Sequence, residues 1–268
     1  MGLQTLYTGA TGMQAMQTKL DAIANNLANV NTTAFKRDRV NTEDLFYVHE
    51  KLPGALDGGG NLTPTGVSIG LGTKVSSVQT EFTQGGFEDT GRPLDVSITG
   101  EGFFQVVDPL TGEIQYTRAG RFDINANGEL VISSANIGRV VEPSITFSPD
   151  TQEITIGGDG TVQARIAGQS SFDSIGQLQT SKFINPDGLL KLGENLYAET
   201  DASGSPVTGI PGSDGRGTLL SGFLEQSNVK PVTELIDMIN TQRAFELNSE
   251  AVRAGDQMLQ LLSNMRRF

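Results

Sequence analysis

Apolar residues recur at helical spacing at both ends of the chain and alternate through its middle. Leu6, Met13, Leu20 and Leu27 fall on one heptad position, and Met16, Ile23 and Val30 fall on its partner, with Gly9 completing that row. Two apolar rows at an average spacing of 3.5 residues predict an α-helix that lies along another helix. Nearly everything off the stripe is Gln, Thr, Ala or Asn, and Gly9 and Gly12 weaken an isolated helix, so this segment needs a partner. At the other end Met238, Phe245, Val252 and Leu259 repeat every seven residues, and Leu262 joins them. Asn228 is placed to cap this helix, Pro231 suits its first turn, and Glu234 and Asp237 suit its positive start. Its second row is polar or small, with Thr241, Asn248 and Gly255, which fits packing among several neighbours better than a two-stranded zipper.

Between the ends the period drops to two. Leu94, Val96 and Ile98 alternate with polar residues, as do Ile114 and Tyr116, Phe122 and Ile124, Ile154 and Ile156, and Val162 and Ile166. Thr111-Gly112, Asn127-Gly128, Asp159-Gly160 and Asp187-Gly188 punctuate them, which predicts short antiparallel strands joined by tight turns. Residues 53–66 and 201–217 are rich in Gly, Pro and Ser and read as loops. The expected fold is α+β. A coiled-coil-like helical domain of residues 1–34 with 228–268 would carry an extended connector, 35–90, and a central all-β domain, 91–227.

Composition narrows the function more than the fold. Of 268 residues 37% are hydrophobic and only 6% aromatic, so any core is lean, and 33 glycines suit many turns. The absence of cysteine removes disulfides and Cys-based metal or thiol chemistry. The net charge of −12 is uneven: residues 1–35 hold only Lys19 and Asp21, and residues 228–268 balance five basic against five acidic side chains. The whole excess therefore lies in residues 36–227, an acidic middle that argues against nucleic-acid binding. No basic residue precedes Lys19 and no continuous apolar run opens the chain, so export without a cleaved signal peptide is expected. No stretch approaches the ~18 apolar residues that span a bilayer. The N-terminal stripe also lacks the basic face of a membrane-surface helix, so no membrane insertion is expected.

Candidate chemistry is sparse. Asp123-Ile124-Asn125-Ala126-Asn127-Gly128 matches the opening of a calcium loop, but the twelfth position is Ser134 where a bidentate Glu is needed, and the flanks alternate like strands. A hairpin turn explains it. The glycines of 100–102 and 157–160 are followed by neither a helical pattern nor Lys-Ser/Thr, so no phosphate cradle is expected. His49 stands alone, and with 31 acidic residues a neighbouring pair such as Glu88-Asp89 needs no catalytic explanation. No catalytic residue, metal or cofactor is predicted. The chain reads as a structural subunit that polymerises through its two ends, with the heptad positions as the assembly interface.

Asn25-Asn26-Leu27-Ala28-Asn29-Val30-Asn31-Thr32-Thr33-Ala34-Phe35-Lys36-Arg37 resembles the N-terminal signature of bacterial flagellar rod and hook proteins, most of all at Asn25, Asn26, Leu27, Asn29, Asn31, Phe35 and Lys36. Those proteins usually carry Gly where Ala34 stands, which suggests a backbone of positive φ there. Gly100-Glu101-Gly102-Phe103-Phe104, Tyr116-Thr117-Arg118-Ala119-Gly120, Gly193-Glu194-Asn195-Leu196-Tyr197 and Gly222-Phe223-Leu224-Glu225-Gln226-Ser227-Asn228 resemble further blocks of the family, in the same order. The resemblance implies a hollow helical tube of many copies in the flagellar basal body. Terminal helices would surround the export channel, the β domain would face outward, and secretion would use the flagellar type III apparatus. Proximal-rod and hook subunits would be axial partners, and the P- and L-ring proteins would be the surrounding bushing. Length and the stretch Leu52-Pro53-Gly54-Ala55 are similar to distal-rod members. A hook or proximal-rod subunit is the alternative, and a secreted cell-wall hydrolase is the rival outside the family. The connector at 46–66 could stiffen such a tube or act as a flexible strap. Residues 133–149 depart from the family pattern.

Overall fold

The computed structural model describes residues 2–54, 62, 64–134, 137–169 and 171–265, with the side chains of 2, 3, 262 and 263 excepted. The fold is α+β, with a helix at each end and a central domain of many short antiparallel strands. It divides into two compact units. The first comprises Met1–Ala28, Asp38–Thr80 and Lys230–Phe268, and the second comprises Asn29–Arg37 and Glu81–Val229.

The first unit pairs α1 (Gly2–Ala28) with α2 (Pro231–Met265). As α1 advances from Leu6 through Gly9 and Gly12 to Asn26, its partners on α2 retreat from Gly255 through Val252 and Asn248 to Glu234, so the helices run antiparallel. The seam is built from small and polar residues. Gly9, Gly12, Ala15, Ile23 and Asn26 are the buried positions of α1, and Glu234, Thr241 and Gly255 those of α2. A Cβ on Gly9 would lie 2.6 Å from Val252 Cγ2, and one on Gly255 3.1 Å from Leu6 Cδ2. Small side chains let the axes approach, which explains a second row without leucine. Pro231 and Glu234 occupy the first turn of α2 as the sequence suggests. The expected cap does not form, because the Asn228 side chain is engaged elsewhere.

Two strand pairs complete this unit, in the stretch read from sequence as connector. β1 (Asp38–Asp44) and β4 (Thr73–Thr80) are antiparallel with a bulge at Asn41/Thr42, and β2 (Tyr47–Lys51) pairs with β3 (Val67–Gly70). Residues 55–61 and 63 of the predicted 53–66 loop lie outside the described residues. α1 grips β1 through Asn26, whose Nδ2 donates to Asp38 O at 2.9 Å while its Oδ1 accepts from Asp38 N at 2.8 Å. Among the described residues no helix is long and apolar enough to cross a membrane.

The second unit contains, in chain order, β5 (Phe87–Asp89), β6 (Val96–Thr99), β7 (Phe103–Val107), β8 (Ile114–Thr117), β9 (Phe122–Ile124), β10 (Leu130–Ile132), β11 (Val140–Glu142), β12 (Thr151–Ile156), β13 (Thr161–Ile166), β14 (Asp173–Gln177), β15 (Thr180–Lys182), β16 (Leu190–Gly193), β17 (Leu196–Ala198), β18 (Val207–Gly209), β19 (Thr218–Ser221) and β20 (Phe223–Glu225). Its main sheet runs β16-β17-β8-β7-β11-β10-β9, with β15 bridging β7 to β18. β12-β13-β14, β6-β19 and β5-β20 form smaller sheets. Strand β18 falls inside the predicted 201–217 loop, where three residues among Gly and Pro give too short a period to read. The Asp123–Gly128 segment is the hairpin turn between β9 and β10, held by Asn125 Oδ1, which accepts from the Asn127 and Glu129 N–H groups at 2.9 Å each.

β7 shows why alternation alone undercounted the core. Phe104 and Val106 face a cluster with Val96, Ile98, Phe122, Leu130 and Val162, while Phe103 on the opposite face meets Phe183 and Tyr197 edge-on, and Tyr116 joins them edge-on to Phe183. Both faces of this strand are buried, so polar Gln105 is buried too, donating to the Ser181 hydroxyl and, at 2.7 Å, to Thr208 Oγ1. A fully enclosed Phe contributes about 3–5 kcal/mol against Ala. Phe104→Ala is therefore expected to lower the unfolding free energy by about that amount, whereas Leu110→Ala, at an 80% exposed site, is expected to change it by less than about 0.5 kcal/mol in the same denaturant titration.

Candidate functional site

Residues 29–37 of the second unit form the focus on which the other signature blocks converge. The chain leaves α1 in a turn, with Thr32 N donating to Asn29 O at 3.1 Å and Thr32 Oγ1 to Asn29 Oδ1 at 3.1 Å. Ala34 then adopts φ +57°, the left-handed conformation expected of the position where glycine is usual. That costs an L-residue roughly 1–2 kcal/mol. The conformation is held by burial of Ala34 and by its N–H, which donates to Glu225 O at 2.7 Å.

The turn delivers Lys36 to a fully buried ion cluster. Lys36 Nζ lies 2.6 Å from Glu225 Oε1 and donates to Thr83 O at 2.8 Å, while Arg118 Nε lies 2.9 Å from Glu225 Oε2. Gly85 N adds a donor to Glu225 Oε1 at 3.0 Å, and Arg118 also binds the carbonyls of Gly100 and Gly102. Two cations share one anion. Burial, followed by the like charge of Arg118, pushes the Lys36 ammonium down to about 8 from its ordinary 10.5, with Glu225 opposing. Burial pushes the Glu225 carboxyl up, but Arg118 and then Lys36 outweigh it and hold it below the usual range.

Asn228 staples the neighbouring segments. Its Oδ1 accepts from Arg37 N at 2.8 Å and its Nδ2 donates to Glu81 O at 2.8 Å and to Thr83 Oγ1 at 2.9 Å, while its own N–H donates to Phe35 O at 3.4 Å. The Gly193–Tyr197 block contributes as a two-residue hairpin turn. Glu194 and Asn195 both have positive φ, as a type I′ turn requires, and Asn195 Nδ2 donates to Thr33 O at 3.0 Å. Lys191 places its ammonium 5.3 Å from the Phe35 ring centre. Arg37, Glu81 and Asn228 stand beside three points at which the chain passes between the two units, so this clasp fixes the second unit's side of those passages.

The other predicted positions fall as follows. Asn26 is buried and pairs with Glu234 Oε2 at 3.2 Å in addition to gripping Asp38; Asn25 and Asn31 are exposed. Ile23 is buried in the α1–α2 seam, and Leu6, Met13, Met16, Leu20, Leu27, Met238, Phe245, Val252 and Leu259 are half-buried around it. Val30 lies beyond the end of α1, in the turn, and the Leu262 side chain lies outside the described residues. Periodicity at seven residues missed a second stripe on α2. Ile236, Leu247 and Met258 stand eleven residues apart and are 54, 66 and 53% exposed, flanked by exposed Val232, Ile239, Leu261 and Met265. Eleven residues make three turns at 3.67 per turn, so this apolar stripe keeps to one side of the helix along its length. The pairings of Arg118, Glu225 and Asn228 were also missed. The available signal was a charged side chain set beside apolar neighbours, as in Phe223-Leu224-Glu225.

A unit that pairs the two terminal helices, and a strand-rich unit that gathers the signature residues into a clasp, are the parts expected of a protein of the flagellar axial type. Matching family models agree: the flagella basal body rod protein model covers residues 6–36, the flagellar hook protein FlgE/F/G D1 domain model residues 97–164, and the flagellar basal body rod FlgEFG protein C-terminal model residues 220–265. Full-length relatives carry the name flagellar basal-body rod protein FlgG. That of Buchnera aphidicola subsp. Schizaphis graminum is 43% identical over 98% of this chain and 100% of its own. That of Agrobacterium fabrum is 42% identical over 97 and 98%, and that of Borreliella burgdorferi 42% identical over 99% of each. The chain belongs to the flagellar rod and hook protein family and is a structural subunit of the basal-body rod.

The ion cluster makes an asymmetric prediction. Glu225→Gln strands two buried cations and is expected to cost about 3–5 kcal/mol of stability at pH 7, whereas Lys36→Met leaves the Arg118–Glu225 pair matched and is expected to cost less than about 2. Between pH 8 and 10.5 the unfolded chain holds a Lys36 proton that the folded chain has released. The Lys36 contribution to stability should therefore rise with pH across that window, and denaturant titrations of Lys36→Met should lack this rise.

Proposed function

We propose that this chain is the distal-rod subunit, polymerising into a hollow helical tube that carries torque from motor to hook. The observation that carries the reading is the apolar stripe of α2. In a single copy it leaves Val232, Ile236, Leu247, Met258 and Leu261 in water. A row of exposed large apolar side chains on a helix already paired along its other side calls for a further helix, and copies of the same chain supply one. In the assembly the terminal segments, 1–34 and 228–268, form the inner tube, with coiled-coil-like packing between copies and the heptad positions contributing around the seam. The β domain of residues 91–227 takes the outside, in keeping with the confinement of the −12 net charge to residues 36–227 and the neutral helical ends.

The connector gives a second support. β2 and β3 form a two-stranded hairpin in which every β2 residue is exposed, and Phe46 beside it is 87% exposed. The pair continues the β1–β4 ladder through Leu45 N to Gly72 O and Leu71 N to Phe46 O, and a ribbon of only two strands is marginal in water, so its exposed apolar side chains favour contact with a neighbouring copy and hence stiffening. Proximal-rod and hook subunits would continue the tube axially, the P- and L-ring proteins would surround it, and the type III apparatus would deliver the chain across the periplasm-spanning basal body. The relatives are structural rod proteins, and no catalytic role is proposed. A hook or proximal-rod place predicts that deletion leaves a distal shaft; a cell-wall hydrolase predicts release of muropeptides by the purified chain.

Leu247→Asp tests the stripe. The position is exposed in the single copy, so circular dichroism of the dilute protein should be unchanged, while electron micrographs should show loss of the tubes that the unaltered protein forms. Tubes of normal length from Leu247→Asp would refute the assignment of this face to assembly.

A further inference from the structure

We propose that the second unit stacks head to tail on copies of itself, the tip of the β7–β8 hairpin (residues 108–113) of one copy entering a cavity at the open end of that hairpin in the next. The inference rests on the polymeric reading above. The cavity holds about 680 Å³, room for a loop tip rather than one side chain. Phe82, Phe103 and Phe183 line it, packed edge-on with ring centres 5.3 and 5.7 Å apart, and Ile184 stands on the same lining at 86% exposed. Aromatic-walled hollows of this kind are where a partner protein seats an apolar anchor.

The hairpin tip is the matching projection. Leu110 is exposed, and the turn holds it out: Asp108 Oδ1 accepts from Leu110 N at 3.0 Å, and Asp108 O accepts from Gly112 N at 2.8 Å. The cavity is lined at Phe103, where β7 begins, and at Arg118, where β8 has just ended, so tip and cavity lie at opposite ends of one hairpin. Four residue steps along β7 alone hold them about 13 Å apart. The tip therefore reaches such a cavity only in another copy, and a projection and a hollow on one chain make a heterologous contact that propagates as an open helix. Charge favours this occupant. Residues 105–117 hold Asp108 and Glu113 and no Lys or Arg. The lining sets Arg118 and Lys182 against Glu101, and in the buried cluster behind it Lys36 and Glu225 cancel, so the cavity keeps one positive charge in excess for an acidic tip.

The chain has no cysteine, so Leu110→Cys with Ile184→Cys in the full-length protein puts one thiol on the tip and one at the cavity, both at exposed positions. Rods of this double variant, treated with a short bis-maleimide, should give a ladder of covalent multimers on a denaturing gel, because each copy is linked through both ends. Rods mixed from the two single variants should give dimers and nothing longer. Monomers alone from double-variant rods would overturn the proposal. So would a ladder from Phe46→Cys with Ile184→Cys in its place, which would make the exposed Phe46 of the first unit the occupant. Leu110→Asp should leave circular dichroism of the dilute protein unchanged and raise the concentration needed for rod growth at least roughly tenfold, as for the loss of one buried leucine side chain. An unchanged threshold would overturn the head-to-tail contact and leave the α2 stripe standing, whereas failure of the unaltered protein to form rods would count against the polymeric reading itself.

Discussion

Glu225 accepts from Lys36, Arg118 and the Gly85 N–H in a site closed to solvent, and the second unit's inner organisation hangs on it. A carboxylate and two cations removed from water are each costly, and only their mutual attraction offsets the cost. The consequence is specificity of arrangement. Lys36 must come from the turn after α1, Arg118 from the end of β8 and Glu225 from β20, so three distant stretches have one way to meet. Asn228 extends the same logic to Arg37 and Glu81, holding together the segments beside three of the chain's passages between units.

The helical unit solves a different problem. A subunit that must pair its own ends and also meet its neighbours cannot spend all its large apolar side chains on the first task. Here the α1–α2 seam is made with Gly9, Gly12, Ala15, Thr241 and Gly255, and much of the bulk on α2 is turned outward. The two periods record the division of labour. Met238, Phe245, Val252 and Leu259 repeat at seven and flank the internal seam, while Ile236, Leu247 and Met258 repeat at eleven on the other side.

Much of this was legible in the sequence, and the misses have physical causes. Helical and alternating periods located both helices and most strands, because one-sided burial leaves a periodic mark. β7 and β18 were harder: a strand buried on both faces loses its alternation, and one of three residues has none to show. Ala34 was legible in reverse, since a family glycine at its position implied the positive φ that the structure has. The polar row of α2 hinted at unusual packing without revealing that its small residues form the closest contact. The ion cluster was harder still, because Lys36, Arg118 and Glu225 are separated by most of the chain, and the apolar neighbours of Glu225 hint at its burial without naming its partners.

The absence of cysteine allows one measurement of the central claim, that the outward face of α2 becomes an interface between copies. Met258→Cys introduces a unique thiol at a position exposed in the single subunit. Its rate of reaction with a water-soluble thiol reagent should be that of a free surface cysteine in dilute monomer and fall by orders of magnitude in assembled rods. Equal rates in the two states, with rods confirmed by microscopy, would contradict the account.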